Sequence, residues 1–192
     1  MALPAHMALH LVLLEALPVA LLLAAGRDRI ARMPVRPLLA GVASTVIIVV
    51  WHLPLAFDAA VGNPLLHQAE HLSFVVAGLL LWAPVLSPAT GAAEALAFLF
   101  VTRNVQAALG NVLLWAPHPL YRDSGSLHDQ RLAGAIMLGE GLLTGIVAAG
   151  WLFSRLLHEE RSRGAAAAAQ NARRTAEGCG RRLARDQLSR PT

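Results

Sequence analysis

Residues 64–86, PLLHQAEHLSFVVAGLLLWAPVL, hold one carboxylate, Glu70, and no arginine or lysine. A hydrocarbon core about 30 Å thick is crossed by about 20 apolar residues in a helix, so this stretch reads as a membrane span with His67, Glu70 and His71 gathered near one end. Four further segments reach a similar length, at 6–25, 38–54, 91–116 and 128–155. The 192 residues are 56% apolar and 15% charged, against roughly 25% charged in soluble domains. That composition excludes a disordered chain and argues against an ordinary water-soluble globule. The predicted fold class is all-α, a polytopic membrane helix bundle of about five transmembrane helices.

Charge gives this bundle two sides. Residues 1–154 carry 7 Arg against 8 Asp and Glu, whereas residues 155–192 carry 9 Arg against 4. The basic excess therefore sits mostly in the tail, which points to a cytoplasmic, lipid-facing end and not to nucleic acid. The connection 26–37 adds four Arg and is expected on the cytoplasmic side. The Arg-free stretch from Pro54 to Pro64, with Asp58 and the turn Gly62-Asn63-Pro64, is expected to be an outer loop. Five spans then place the N-terminus out and the C-terminus in. The helical bundle is assigned to residues 1–157, and residues 158–192 to a flexible basic tail that is disordered or only partly helical. The first span lacks the basic residues that precede the apolar core of a signal peptide. A single cysteine, Cys179, leaves no disulfide framework and no cysteine-rich metal site within the chain.

On that topology seven of the eight histidines gather at the outer face: His6, His10, His52, His67, His71, His118 and His128. Only His158 lies inside. His6/His10 and His67/His71 have i,i+4 spacing, which sets both imidazoles of each pair on one helix face, one turn apart. Such faces suit a metal held between helices. The candidate ligands are His6, His10, His52, His67 and His71, with Asp58, Glu70 and Asp129 as carboxylates that orient them. Met7 and Met137 offer thioethers, although methionine at such positions more often packs. Imidazole without a usable thiolate suits copper, zinc or haem iron better than magnesium or calcium. His67-Gln68-Ala69-Glu70-His71 also matches the H-x-x-E-H of inverted zinc peptidases, a short pattern that chance often supplies.

Three charged residues lie deeper. At about 1.5 Å rise per residue, Arg103 is about 20 Å below the outer end of its helix, Glu140 about 18 Å, and Glu15 about 14 Å below His6. Arg103 is therefore expected to form an intramembrane ion pair with Glu140, with Asn104 and Gln106 taking the remaining donors. Gly141-Leu142-Leu143-Thr144-Gly145 is a GxxxG match, read by default as a helix-packing face.

Taken together, Trp51-His52-Leu53-Pro54, Phe57-Asp58-Ala59-Ala60, Pro64-Leu65-Leu66-His67, Glu70-His71, Phe74 and Gly78-Leu79-Leu80-Leu81-Trp82 form a specific pattern. With His6-Met7-Ala8-Leu9-His10 before it and Asp129-Gln130-Arg131-Leu132-Ala133-Gly134-Ala135-Ile136-Met137 after it, the chain resembles the CtaG-type cytochrome c oxidase assembly proteins over residues 6–155. Related chains usually carry one or two further helices before the first motif. Phe57 stands where an aromatic hydroxyl is frequent, and Gly139-Glu140-Gly141 where a Pro-Gly bend is common. The resemblance implies a multi-pass protein of the bacterial inner membrane that helps to build a haem–copper oxidase at the copper-insertion stage. Its implied partners are oxidase subunits or copper chaperones and the lipid bilayer, and it implies no enzymatic activity. The expectation is an assembly factor that holds copper transiently on its outer side in an incomplete coordination shell. The competing readings are a haem-binding membrane subunit using paired histidines and an H-x-x-E-H membrane metallopeptidase.

Overall fold

The computed structural model describes residues 3–33, 35–122 and 126–188, with side chains as far as residue 174, so that Cys179 lies outside the described side chains. The chain is 89% helical, with no strand among the described residues. The first span combines α1 (Leu3–Leu11), a π turn at Val12–Ala16 and α2 (Leu17–Ala25). Pro18 explains the π turn. It has no N–H for the Leu14 carbonyl, and its ring crowds that oxygen, so the helix widens and Leu17 N–H reaches back to Val12 O. The displaced Leu14 carbonyl then meets the third span at Gly78, where an added Cβ would lie 2.2 Å from Leu14 O and 2.4 Å from Pro18 Cγ. Only glycine permits that approach.

Gly26, at φ 85°, ends α2 and turns the chain into the short α3 (Arg27–Arg32). Helix α4 (Pro37–His52) is followed, after a 70° bend, by α5 (Pro54–Gly62). The bend falls at Leu53, which is extended because a residue before proline avoids the helical region. The stretch from Pro54 to Pro64, expected as a loop, is therefore a helix that closes at Asn63. Asn63 in turn caps α6 (Pro64–Leu86), its Oδ1 accepting the N–H groups of Leu65 at 2.9 Å and Leu66 at 3.3 Å.

Helix α7 covers Ala92–Trp115 and α8 covers Leu127–Leu188. Ser126 and Asp129 form a reciprocal capping box at the start of α8: Asp129 Oδ2 accepts from Ser126 N–H, and Ser126 Oγ accepts from Asp129 N–H. Two compact units meet between Phe153 and Ser154. In the second unit, the Ala165–Ala169 run and the pairs Arg155–Glu159 and Glu160–Arg163 favour helix.

Among the described residues four helices are long and apolar enough to cross a membrane, and the bent α4–α5 pair makes a fifth candidate span. The polarity is arranged for lipid: Leu38, Leu55, Leu65 and Phe100 are 71–85% exposed, while Glu70 and Gln130 are fully buried. Helices in hydrocarbon associate through close packing of small residues. Here Gly41 lies under Phe98, and a Cβ on Gly134 would sit 2.7 Å from Gly110 O. The GxxxG face is not used in this way, since Gly141 has nothing within 4 Å and Gly145 meets only Arg103 Cγ at 3.9 Å.

Candidate metal centre

Two helices build the centre. α1 brings His6 and His10, and α6 brings His67, Glu70 and His71, each set on one helix face. Ring centroids are 4.2 Å apart within each histidine pair, and across the helices 5.1 Å for His6–His67 and 5.3 Å for His10–His71. Glu70 lies among them, with carboxylate oxygens 3.5 Å from His67 Nδ1, 3.6 Å from His10 Nε2 and 3.9 Å from His6 Nε2. Phe57 stands edge-on to His6, and Phe74 stacks on His10 at 4.3 Å. His6, His10 and Glu70 are at most 4% exposed.

One ligand atom from each of His6, His67, Glu70 and His71 lies within 4.8 Å of the others. Two nitrogens on one ion, each about 2.1 Å from it, are separated by at most about 4.2 Å, so the set would close by roughly 0.6 Å. Both Glu70 oxygens, His6 Nε2, both His10 ring nitrogens and His71 Nε2 are buried without a hydrogen-bond partner. Buried polar atoms are normally satisfied. Several left open around one point match a cation, and three imidazoles with one carboxylate suit copper or zinc.

The other expected residues are not part of this set of four ligand atoms. His52 is not one of the four: its Nδ1 donates to Ile48 O at 2.7 Å and its ring meets the edge of Phe74 at 6.0 Å, while its Nε2, like the cluster atoms, is buried without a hydrogen-bond partner. Asp58 accepts from Arg122 N–H at 3.2 Å and Asp129 caps α8, so neither orients a histidine. Glu70, expected only to support the ligands, sits among the ligand atoms. Met7 and Met137 pack in an apolar cluster with Leu3, Phe57 and Leu113. His118 and His128 are exposed.

The expected Arg103–Glu140 pair is not formed. Arg103 instead makes a two-pronged bond to Glu15, at 2.7 Å on each oxygen, while Trp82 Nε1 donates to Glu15 at 2.9 Å. Gln106 accepts from Arg103 as expected, but Asn104 bonds Phe100 O in its own helix. Depth counted along straight helices misses the π turn. Five α-helical residues would set Glu15 about 140° around from His10, and the extra residue of a π turn brings it back to about 40°.

Three supporting residues were given no role from the sequence, although Trp51 and Gln130 stand in the motifs that carry the resemblance. Gln130, fully buried, accepts from Leu120 N–H at 2.7 Å and donates to Leu113 O at 3.1 Å, tying the α7–α8 connection to both helices. Trp51 donates to Ser73 Oγ, which donates to the Glu70 carbonyl, both at 2.7 Å. Tyr121 donates to His52 O at 3.1 Å. Burial, reinforced by the charges of Asp58 and Glu70, pushes its phenol well above the ordinary value, so it stays a neutral donor. A polar side chain inside an apolar helix was the available signal for Gln130. Nothing local marked the partners of Trp51 and Tyr121.

Fold and site together define a multi-span helical membrane protein with a buried imidazole–carboxylate cluster near one end of its bundle. The chain belongs to the cytochrome c oxidase caa3 assembly factor family, whose model matches residues 1–159. Comparison with curated proteins gave no match, and neither did comparison with solved structures.

Proposed function

We propose that the chain carries copper, as cargo, during assembly of a haem–copper oxidase. His6, His67, His71 and Glu70 would hold the ion and His10 would stand beside it. The observation that carries this reading is the convergence of those four ligand atoms within 4.8 Å, with His6 and Glu70 buried, His67 and His71 half-buried, and His6 Nε2, His71 Nε2 and both Glu70 oxygens without hydrogen bonds. A neutral imidazole set with one carboxylate favours a divalent ion, and among first-row divalent metals copper binds such donors most tightly. The α1–α6 seam leaves the cluster near the bundle surface, where a partner could receive the ion. The proposed setting is the bacterial inner membrane, with the cluster and N-terminus outside, the bundle at residues 1–157 and a basic tail at 158–192, helical as far as Leu188, on the cytoplasmic side. Oxidase subunits or copper chaperones are the proposed partners.

The test is copper content per chain in purified wild type, in His67→Ala/His71→Ala and in Glu70→Gln, together with oxidase assembly in a deletion strain complemented by each. Wild type is expected to retain copper, and both variants to lose most of it and to assemble less oxidase. Equal copper and equal assembly in wild type and the double variant would overturn the reading.

A further inference from the structure

Glu140 is left over by the pairing at mid-membrane. Arg103 is engaged by Glu15, no cation lies within ion-pair distance of Glu140 among the described residues, and Glu140 Oε1 is buried without a hydrogen-bond partner. An ionised Glu140 leaves the three-residue set with one net negative charge in an apolar surround, where a missing counter-charge is costly. Arg103 Nε and Gln106 Nε2 are likewise buried and unbonded.

The space around Glu140 is open. A cavity of about 790 Å³ lies between the first span, α4, α7 and α8, and one of about 660 Å³ lies between the first span, α6 and α8. Glu15 and Glu140 line both. Gly141 and Gly145 face the larger one. The glycines at 41, 78, 110 and 134 are each explained by an atom that a Cβ would strike, but a Cβ at Gly141 would meet nothing. Glycine inside a helix costs about 0.5–1 kcal/mol relative to alanine, and no contact within this chain requires it there.

We infer that this groove seats a transmembrane helix of an oxidase subunit under assembly. That helix would present a basic side chain to Glu140 and lay its backbone against Gly141 and Gly145. Charge complementarity selects the occupant. A lipid tail brings no cation to that depth. A second copy of this chain brings none either, because it has no lysine and its arginine at that depth, Arg103, is already paired. The inference rests on the assembly role of the family and stands whether or not the histidine cluster holds copper.

The test places a photo-crosslinking amino acid at Leu142, on the groove wall, and at Leu38, on α4 and away from both cavities. Irradiation is done in membranes of a host making its caa3-type oxidase, and adducts are identified by mass spectrometry. Adducts to an integral oxidase subunit are expected at Leu142 and not at Leu38, and Glu140→Gln should lower them about tenfold or more at equal chain level. If Glu140→Gln does not accumulate, Gly141→Leu carries the test, since its side chain enters open space and should block the seat without disturbing the fold. Adducts only to lipid or to a second copy of the chain would overturn the inference. Oxidase adducts that neither variant lowers would do so as well.

Discussion

Replacing Gly78 by alanine is the sharpest probe of how the fold holds the histidine–glutamate cluster. The new Cβ would lie 2.2 Å from Leu14 O, 2.9 Å from Leu14 C and 2.4 Å from Pro18 Cγ. Ordinary carbon–oxygen contacts begin at about 3.3 Å, so the overlap is about 1 Å, against a carbonyl and a proline ring that have no rotamer to change. If nothing moves, the cost sits at the top of the usual overpacking range, about 3 kcal/mol, or about 100-fold in the unfolding equilibrium. If the first span withdraws instead, it moves by about 1 Å and carries His6 and His10 away from His67, Glu70 and His71. Metal–ligand distances tolerate about 0.2 Å. Gly78→Ala is therefore expected to lose thermal stability and, on the proposed function, copper, although Gly78 lies seven residues and about 10 Å along the helix from His71. Gly139→Ala is the control, because nothing lies within 4 Å of its Cβ position. It should be neutral or stabilising by up to about 1 kcal/mol. Both variants are assayed in detergent by thermal unfolding and by copper per chain on the same preparation. Identical behaviour of the two would refute the packing argument, and a destabilised Gly78→Ala with full copper would refute its link to the site.

Two further outcomes follow from the buried polar groups. Arg103→Ala and Glu15→Ala each leave an uncompensated charge and should cost about 3–5 kcal/mol, seen as reduced membrane accumulation and a lower melting temperature. Glu140→Ala leaves that pair intact, and an equal loss from it would show the pairing to be wrong. Gln130→Ala leaves the Leu120 N–H and the Leu113 carbonyl without their partner, at about 1–3 kcal/mol, and should be read as faster hydrogen exchange at Leu120 with little change in α1. Unchanged exchange at Leu120 would remove Gln130 from its tying role.

The candidate metal centre was partly legible before the structure. His6/His10 and His67/His71 declare two ligand faces through i,i+4 spacing alone, because a helix repeats every 3.6 residues. Glu70 was visible only as a neighbour of His67 and His71, and its place among the ligand atoms depends on α1 lying across α6. His52 carries a buried, unbonded Nε2 near the cluster but stands outside the four-atom set, with its Nδ1 bonded to Ile48 O. Asp58 and Asp129 illustrate the same limit: a carboxylate at the right level is equally able to cap a helix or hold a loop, and nothing near it in the chain says which.

Apolar length and histidine spacing were enough to anticipate a helical membrane protein, which has four to five candidate spans among the described residues, with histidine-bearing faces, since each depends on neighbouring residues and a fixed helical repeat. Which faces meet was decided in three dimensions. Pro18 widens the first span into a π turn, Gly78 accepts the carbonyl that this displaces, and Glu15 is rotated onto Arg103 in place of Glu140. These are long-range steric and electrostatic fits between segments about 60 to 90 residues apart, and no local pattern encodes them.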